Sequence, residues 1–367
     1  MGVVVPQLDK QQLVKRVIKQ VWVIGASGYS GIELCRIIMR HAHLQLHTAF
    51  ANSDASCGAA TELYPQYQEL EPLELVQWDD NWLAQASAID IVFLALPHAV
   101  SLELAPKLLQ KGCVVVDLSA AFRLTNVGNY PQYYGFEHSS ARLLAQRYYA
   151  FPHAFPHAAP HALPTALHAL VNATSALPTS NLLSMPGCYP TAASLALAPL
   201  VNSEYFLTEQ MPVVTAVSGV SGAGRQATLA TSFCEVSLRP YAVLEHRHQC
   251  EIAQNLGCDV MFVPQLGNFK RGIVATCAVR VRQGTTQAQL DALFAAAYAG
   301  DESVRIRQRP PQVDDVAMTP YGDLYVRVQG DKVVVIAAID NLLKGAASQA
   351  IEACNLKFGW PRMAGLQ

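Results

Sequence analysis

The segment SMPGCYPT, residues 184–191, carries the most chemical information in the chain. Pro190 suits the first turn of a helix that continues to about residue 200, which places Cys188 at the helix N-terminus. Free backbone N–H groups and partial positive charge there lower the pKa of a thiol and favour the thiolate. Pro186 and Gly187 predict a turn that exposes the sulfur. We therefore interpret Cys188 as a nucleophile. The alternative, a buried structural cysteine, is what we expect of every other cysteine.

A nucleophilic cysteine needs a proton partner, and the segment EHRHQCE, residues 245–251, supplies two imidazoles. A positioned imidazole can take the thiol proton and later protonate a developing oxyanion. His246 and His248 are two residues apart, so their side chains point in different directions if the segment is helical, and we expect only one of them to face the sulfur. The chain has 11 histidines, and a surface or core role is the competing interpretation for either.

The heptapeptide GASGYSG, residues 25–31, joins a short apolar strand to a stretch with helical apolar spacing. Glycines at such a junction allow a tight turn and let backbone N–H groups approach a pyrophosphate at the helix N-terminus. The spacing is GxxGxxG rather than GxGxxG, so an ordinary strand-to-helix turn is the competing interpretation. The residues that we expect to bind a dinucleotide here are Gly25, Ser27, Gly28, Tyr29, Ser30 and Gly31.

The end of the second predicted strand, LQLHTAFA at 44–51, bears on which dinucleotide binds. Folds that prefer NAD place an acidic residue there to hold the ribose 2′-hydroxyl. Here Asn52 and Ser53 follow the strand, and no carboxylate precedes Asp54. This favours NADP(H) as the cofactor. No Arg or Lys lies nearby, so Ser53, Asn52 and backbone amides would have to bind the 2′-phosphate, and its ligands stay open.

Two further segments are candidates for anion binding. SGVSGAGR, residues 218–225, is a glycine-rich turn closed by Arg225, which either cradles an anion or bends a strand for packing. DLSAAFR, residues 117–123, follows a predicted strand at the edge where doubly wound folds place ligands. Arg123 has the planar fork that binds phosphate bidentately.

The order of the predicted elements indicates two kinds of sheet. Up to about residue 150, short apolar strands alternate with helices, which is typical of a doubly wound parallel α/β sheet. After Cys188, strands with few helices, including a hairpin turned at Gly330 and Asp331, predict an α+β unit with a mainly antiparallel sheet. A last helix is predicted over 343–358, with small residues on its first turn that permit close packing.

The Pro-, His- and Ala-rich stretch 151–180 is predicted to be a low-complexity loop. A metal-binding module built on His153, His157, His161 and His168 is the alternative, but no carboxylates accompany them, and we expect no metal.

Composition limits the classes of function. A length of 367 residues suggests two domains. The formal net charge of −2 indicates neither a nucleic-acid nor a membrane partner, and no apolar run approaches the ~20 residues of a membrane span. Residues 1–19 read as an extension without a signal-peptide pattern. The 9 cysteines lack CxxC pairing, which argues against a disulfide framework and predicts a reducing, cytoplasmic environment.

Several of these segments together resemble the N-acetyl-γ-glutamyl-phosphate reductase family of arginine biosynthesis, which is related to the aspartate-semialdehyde dehydrogenases. The matching segments run in the family's order through nearly the whole chain, and PGCYPT is the most specific. They are GASGYSG, DLSAAFR, YYGFEH, PGCYPTA, SGVSGAGR, EHRHQCEI, LGNFKRGI and DNLLKGAA. The chain departs from the family in its N-terminal extension, in the missing basic residue after the second strand, and in the length and composition of 151–180.

The resemblance implies NADPH-dependent reduction of N-acetyl-γ-glutamyl phosphate to the 5-semialdehyde through a Cys188 thioester. It implies an NADP-binding domain of residues 20–187 and 341–367, a catalytic and oligomerisation domain of residues 188–340, and a homo-oligomer, dimer or tetramer. It also implies His246 as acid/base with Glu251 supporting it, and Asn341 as a contact to the nicotinamide amide. Ser53 joins the cofactor residues, and the expected substrate residues are Ser119, Arg123, Ser218 and Arg225.

Three alternatives remain beside this interpretation. The homologous aminoadipyl-phosphate reductase of lysine synthesis would look nearly identical, because one methylene changes binding by only about 1–3 kcal/mol. A catalytically inactive NADP-binding regulator is disfavoured by the presence of both Cys188 and the His-Arg-His cluster. A short-chain reductase would need a Tyr-x-x-x-Lys pair, which the chain lacks.

Overall fold

The computed structural model describes residues 18–151 and 179–367, which fold around two sheets. The predictions for most of the N-terminal extension and for most of the stretch 151–180 lie outside the described residues. No helix in the described part of the chain is both long enough and apolar enough to span a bilayer.

The first sheet has eight strands in the order β3-β4-β2-β1-β5-β6-β8-β7, and every neighbouring pair except β3–β4 is parallel. Its strands are β1 Lys19–Ile24, β2 Leu44–Ala51, β3 Gly58–Ala59, β4 Glu74–Gln77, β5 Ile91–Leu94, β6 Val114–Asp117, β7 Tyr148–Tyr149 and β8 Leu182–Ser184. The helices along this part are α1 Tyr29–Met39, α2 Ala60–Leu63, α3 His98–Gln110, α4 Asn129–Tyr134 and α5 Ala141–Gln146.

Helices cover both faces of this sheet, so the doubly wound prediction is confirmed. Side chains alternate between the faces of a strand, and β1 shows the result: Val21 and Val23 lie in one core with α1, while Trp22 and Ile24 lie in another with α3. Such burial on both faces explains why the strands read as continuous apolar runs. Helix α3 begins at His98, directly after Pro97 at its N-cap.

The second sheet has seven strands in the order β10-β11-β9-β12-β15-β14-β13, and it is mainly antiparallel, as predicted. Its strands are β9 Val213–Gly219, β10 Arg239–Pro240, β11 Met261–Gly267, β12 Ile273–Arg280, β13 Val304–Ile306, β14 Gly322–Gln329 and β15 Lys332–Ile339. The helices along it are α6 Cys188–Val201, α7 His248–Leu256, α8 Gln287–Ala297 and α9 Ala347–Lys357. Gly330 turns the β14–β15 hairpin with φ of 64°.

Two helices of this part position the site. Helix α6 is buried along its whole length after Cys188 and packs in one core with β9, β12 and β15. Helix α9 returns to the first sheet, where Ile351 lies in the same core as Ile37 of α1. The last helix was predicted to begin at 343, but α9 begins at Ala347. Residues 341–346 form successive turns instead, because the carboxylate of Asp340 accepts the N–H groups of Leu342 and Leu343.

Candidate active site

A cavity of about 900 Å³ lies at the carboxyl ends of the first sheet's parallel strands. One side is formed by the turns after β1, β2, β5 and β6, and the other by the start of α6, the turn 221–226, the start of α7 and the turn 341–346. Strand β1 has β2 as its neighbour on one side and β5 on the other, and the strand order reverses there. Doubly wound sheets bind ligands at this position.

The glycine loop 25–31 lines this cavity. Two of its glycines are required by packing, and a third faces the cavity. A Cβ on Gly25, whose φ is +97°, would lie 2.3 Å from the Ala95 carbonyl oxygen, and a Cβ on Gly31 would lie 2.1 Å from the Gly25 carbonyl oxygen. These two glycines allow strand, turn and helix to pack. Gly28 is the N-cap of α1 and faces the cavity, which leaves the backbone N–H groups of the first turn open to a phosphate. The loop therefore fits a dinucleotide.

The end of β2 is held against the glycine loop by hydrogen bonds. The N–H of Asn52 donates to Oγ of Ser27 at 2.9 Å, and Tyr64 donates its hydroxyl to the Ser27 carbonyl at 2.9 Å. Asn52, Ser53 and Ser56 line the cavity there. Neutral donors thus surround the position where the ribose of a dinucleotide lies.

Cys188 is the first residue of α6, with Gly187 as the N-cap, and its half-buried side chain lines the cavity. The helix-start prediction for Cys188 is therefore confirmed, but the expected lowering of its pKa is not. Burial raises the pKa of the Cys188 thiol above its ordinary value, and the guanidinium of Arg123 and the N–H of Tyr189 oppose this without reversing it. Desolvation of the thiolate outweighs the helix N-terminus, so the isolated site holds a thiol.

The carboxylate of Glu251 is fully buried beneath this cysteine. Its Oε1 accepts the hydroxyl of Tyr149 at 2.7 Å and the N–H of Gly187 at 2.9 Å, and Oε2 lies 3.5 Å from Nη1 of Arg123. Glu251 lies on the first turn of α7, and within the described chain these hydrogen bonds go to Tyr149, Gly187 and Arg123. Its expected support of His246 stays a prediction.

His248, the first residue of α7, is the imidazole nearest the turn that carries the cysteine. Its Nε2 lies 2.7 Å from the position of a Cβ on Gly187, and its buried Nδ1 has no hydrogen-bond partner among the described residues. Burial, and then neighbouring positive groups, hold the pKa of His248 well below its usual value. The ring is therefore neutral near neutral pH.

His246 precedes α7 and has both ring nitrogens occupied. Its Nδ1 accepts the N–H of His248 at 3.1 Å, and its Nε2 lies 3.4 Å from the hydroxyl of Tyr241. Burial, followed by the charge of Arg247, lowers the pKa of His246 to about 4. Both histidines and Cys188 line a second cavity of about 450 Å³. The role of His246 as acid/base stays a prediction.

Arg123 and Ser119 line the large cavity but are already engaged by the protein. The guanidinium of Arg123 donates from Nε to the Met185 carbonyl and from Nη2 to the Leu118 carbonyl, both at 2.7 Å. Only the remaining N–H groups on Nη1 and Nη2 are available to a phosphate. The hydroxyl of Ser119 donates to Asp117 and accepts the N–H of Ala121, so it shapes the turn after β6.

Three predicted residues remain, and they lie in or beside the turn 221–226: Ser218, Asn341 and Arg225. The hydroxyl of Ser218 donates to the carbonyl of Gly219. The side-chain amide of Asn341 accepts the Gly272 N–H at 2.7 Å and donates to Oγ of Ser221 at 3.0 Å. Asn341 lines the cavity while it fixes this turn. Arg225 was expected among the substrate residues, but its guanidinium lies 5.6 Å from the ring centre of Tyr64, on the glycine-loop side of the cavity.

Sequence reasoning missed several residues of the site. Tyr149 is one of the three donors to Glu251, and no local pattern marks it. Gly345 passes so close to the cysteine that a Cβ on it would lie 2.7 Å from Cβ of Cys188. His98 accepts the N–H of Ala120 and lies 2.9 Å from Nη1 of Arg247. Its place directly after β5, at the ligand-binding edge of the sheet, was the signal that would have found it.

Comparison with known proteins agrees with this architecture. Residues 20–174 match the model of the semialdehyde dehydrogenase NAD binding domain, and residues 188–341 match that of the semialdehyde dehydrogenase dimerisation domain. Aspartate semialdehyde dehydrogenase II from Vibrio cholerae, in complex with ASA, superposes with a TM-score of 0.67 over 93% of this chain and 98% of that chain, at 15% identity. The Candida albicans enzyme with NADP gives 0.62 over 92% of this chain and 98% of that chain, at 13% identity. These likenesses show the fold.

The fold and the site thus define a two-domain dehydrogenase of the semialdehyde dehydrogenase class. Closer relatives are N-acetyl-gamma-glutamyl-phosphate reductases: that of Aliivibrio fischeri is 43% identical over 94% of this chain and 98% of its own length. The Escherichia coli K12 protein is 42% identical over 94% of this chain and 98% of its own length. The chain belongs to the N-acetyl-γ-glutamyl-phosphate reductase family.

The buried charges around Cys188 predict how its thiol titrates in a variant. Glu251→Gln removes a negative charge that raises the pKa of Cys188, so the pH of half-maximal Cys188 alkylation by iodoacetamide should fall. Peptide mass spectrometry separates Cys188 from the other thiols. Glu71→Gln, at an exposed position, is the control and should leave the midpoint unchanged. Faster alkylation at every pH with an unmoved midpoint would show that Glu251 acts only on structure.

Proposed function

We propose that this chain catalyses the NADPH-dependent reduction of N-acetyl-γ-glutamyl phosphate to N-acetyl-glutamate 5-semialdehyde and phosphate. The observation that carries the proposal is that Cys188 and the glycine loop 27–31 line one cavity. A nucleophile and a dinucleotide site that share a cavity suit the reduction of an enzyme-bound acyl group. The named relatives, at 42–43% identity, support the choice of substrate.

In the proposed first step the Cys188 sulfur attacks the acyl carbonyl carbon while His248 takes the thiol proton. A carbon–sulfur bond forms, the carbon–oxygen bond to phosphate breaks, and phosphate leaves with the electron pair. A neutral imidazole beside a protonated thiol suits this transfer, because no thiolate has to be stored in the buried site. The N-terminal N–H groups of α6 lie where negative charge develops on the carbonyl oxygen.

The backbone N–H groups at the start of α1 would hold the pyrophosphate of NADPH, and the bound cofactor would supply the hydride that reduces the thioester. His248 then delivers its proton to the substrate oxygen, and that proton returns to the sulfur as the carbon–sulfur bond breaks and the aldehyde leaves. The free N–H groups of Arg123, beside the cysteine, are placed to hold the phosphoryl group.

The remaining assignments rest on the cavity lining. We propose that the glycine-loop residues, Ser53 and Asn341 contact the cofactor, and that Ser119 and Ser218 shape the substrate end. We also propose the division into an NADP-binding domain of 20–187 with 341–367 and a catalytic domain of 188–340. The first sheet ends at Ser184 and the second spans 213–339, which supports this division.

We propose that two copies of the chain associate through the segment 229–244 and that the enzyme works in the cytoplasm. This segment lies within the match to the dimerisation domain and exposes Leu229, Phe233, Leu238, Val243 and Leu244. Phe233 is 92% exposed, a position that an aromatic side chain rarely holds unless it is covered. All nine cysteines carry free thiols, which supports a reducing compartment.

Replacing the nucleophile tests the reaction directly. Cys188→Ser should abolish phosphate-dependent NADP reduction with N-acetyl-glutamate 5-semialdehyde, while NADPH binding survives, because a serine alkoxide is far less available near neutral pH. The wild-type enzyme should prefer this aldehyde to its one-carbon-longer homologue. Activity near the wild-type level in the serine variant would refute the thioester, and preference for the longer aldehyde would refute the substrate.

The two histidines should separate in an alanine pair assayed from pH 5 to 9. His248→Ala should lower kcat by about 10²–10⁴, as expected for a general acid–base group, because His248 faces the turn at Gly187. His246→Ala should cost less, since its nitrogens are bound to Tyr241 and to backbone. If kcat falls strongly in His246→Ala and stays nearly normal in His248→Ala, the acid/base role belongs to His246.

Phe233 should decide the oligomeric state. Phe233→Asp should weaken self-association by about tenfold or more, seen by light scattering across a dilution series, because burying a carboxylate in an apolar contact is costly. The folded subunit should be unaffected, since the ring contacts solvent. Val100→Asp, an exposed apolar position on α3, is the matched control. Unchanged association in Phe233→Asp would place the contact elsewhere.

A further inference from the structure

The end of the cavity beyond β2 needs a cation that its own loop does not supply. Asn52, Ser53 and Ser56 line it with neutral donors, and the sequence from Leu44 to Gln77 contains no Lys or Arg. The 2′-phosphate of NADPH carries close to two negative charges. Neutral donors alone bind such a group weakly in competition with water, whereas a guanidinium forms charge-assisted hydrogen bonds with it.

Three arginines line this cavity, and two of them are engaged elsewhere. Arg123 is buried beside the cysteine and donates to two carbonyls. Arg247 lies 2.9 Å from Nε2 of His98 and close to the ring of Tyr134. Arg225 is exposed, and among the described residues it has no carboxylate partner. Of these three guanidinium groups, that of Arg225 is the one without a hydrogen bond to the described part of the chain.

Arg225 is placed at the β2 end by its contact with Tyr64. The guanidinium carbon lies 5.6 Å from the centre of that ring, and the same tyrosine donates its hydroxyl to Ser27, whose Oγ holds the N–H of Asn52. A short series of contacts thus connects Arg225 to the residue that follows β2. The aromatic face also holds the guanidinium in a cation–π contact, which reduces the entropy that binding must remove.

The turn that carries Arg225 has a fixed base and an open tip. The N–H groups of Val220 and Ser221 donate to the carbonyls of Phe269 and Lys270, and Asn341 donates to Ser221. Gly224 then takes φ of +87°, with open space around it, and the guanidinium of the next residue, Arg225, lies over the ring of Tyr64.

We propose that Arg225, carried by the turn that follows β9, binds the 2′-phosphate of NADPH and supplies the cation that the β2 loop lacks. The inference rests on the proposed function in that NADPH is the cofactor. Arg225 is then a determinant of cofactor specificity rather than a substrate residue. The phosphate would contact Ser53 from one sheet and Arg225 from the other, so that binding the cofactor joins the two sides of the cavity.

Cofactor binding without substrate tests this. NADPH and NADH are titrated by their fluorescence into wild type, Arg225→Gln, Arg225→Lys and the control Arg282→Gln, an exposed arginine outside the cavity. In Arg225→Gln the Kd for NADPH should rise about 10- to 100-fold while the Kd for NADH stays unchanged. Arg225→Lys should restore part of the affinity for NADPH, because lysine keeps the positive charge but lacks the bidentate hydrogen-bonding geometry of a guanidinium. The control should match the wild type.

A competition between 2′,5′-ADP and 5′-AMP confines the effect to the adenosine end. Arg225→Gln should weaken the binding of 2′,5′-ADP and leave the binding of 5′-AMP unchanged. Equal weakening of NADPH and NADH would assign Arg225 to the pyrophosphate and overturn the inference. Unchanged binding of NADPH and NADH, with a raised KM for inorganic phosphate, would show that Arg225 contacts the substrate, and this result would also overturn the inference. A wild-type enzyme that binds NADPH no more tightly than NADH would refute the NADPH specificity of the proposed function itself.

Discussion

The site depends on one buried negative charge, the carboxylate of Glu251. An ionised group without partners in the protein interior costs several kcal/mol, so its donors must be in place when the chain folds. Those donors come from three separate segments: Tyr149 in β7, Gly187 before α6, and Arg123 after β6. Satisfying Glu251 therefore docks α7 against the first sheet and fixes the start of α6. The same contact brings the cysteine and the histidine of α7 to the cavity.

This constraint also sets the protonation of the nucleophile. A helix N-terminus stabilises a thiolate by a modest amount near the surface, but Cys188 is desolvated and lies near the charge of Glu251, and both effects raise its pKa. Arg123 opposes them from the other side of the same carboxylate. The resulting site holds a thiol and a neutral imidazole rather than an ion pair. In the proposed mechanism such a pair stores no charge in a buried place and moves its proton only when the substrate carbonyl is attacked.

Local patterns were enough to predict the parts of the site that depend on local structure. The glycine loop, the helix start at Cys188 and the β14–β15 hairpin each follow from a few adjacent residues. The choice between the histidines required the exact start of α7. With that helix beginning at His248, His248 and Glu251 are three residues apart and share a face, while His246 precedes it. The partners of Glu251 and the position of Arg225 depend on segments distant in sequence, and periodicity carries no information about them.

The two sides of the cavity are joined by buried ion pairs as well as by the active site. Arg271, next to β12, pairs with Asp340 at the end of β15 and with Glu33 of α1, the helix that follows the glycine loop. These ion pairs connect α1 to the turn after β15. Within that frame the cations are separated, with Arg123 at the sulfur and Arg225 near the end of β2. Under the proposed roles of these two arginines, a substrate phosphoryl group and a cofactor phosphate can occupy one cavity at the same time, because each meets its own guanidinium and neither has to displace the other.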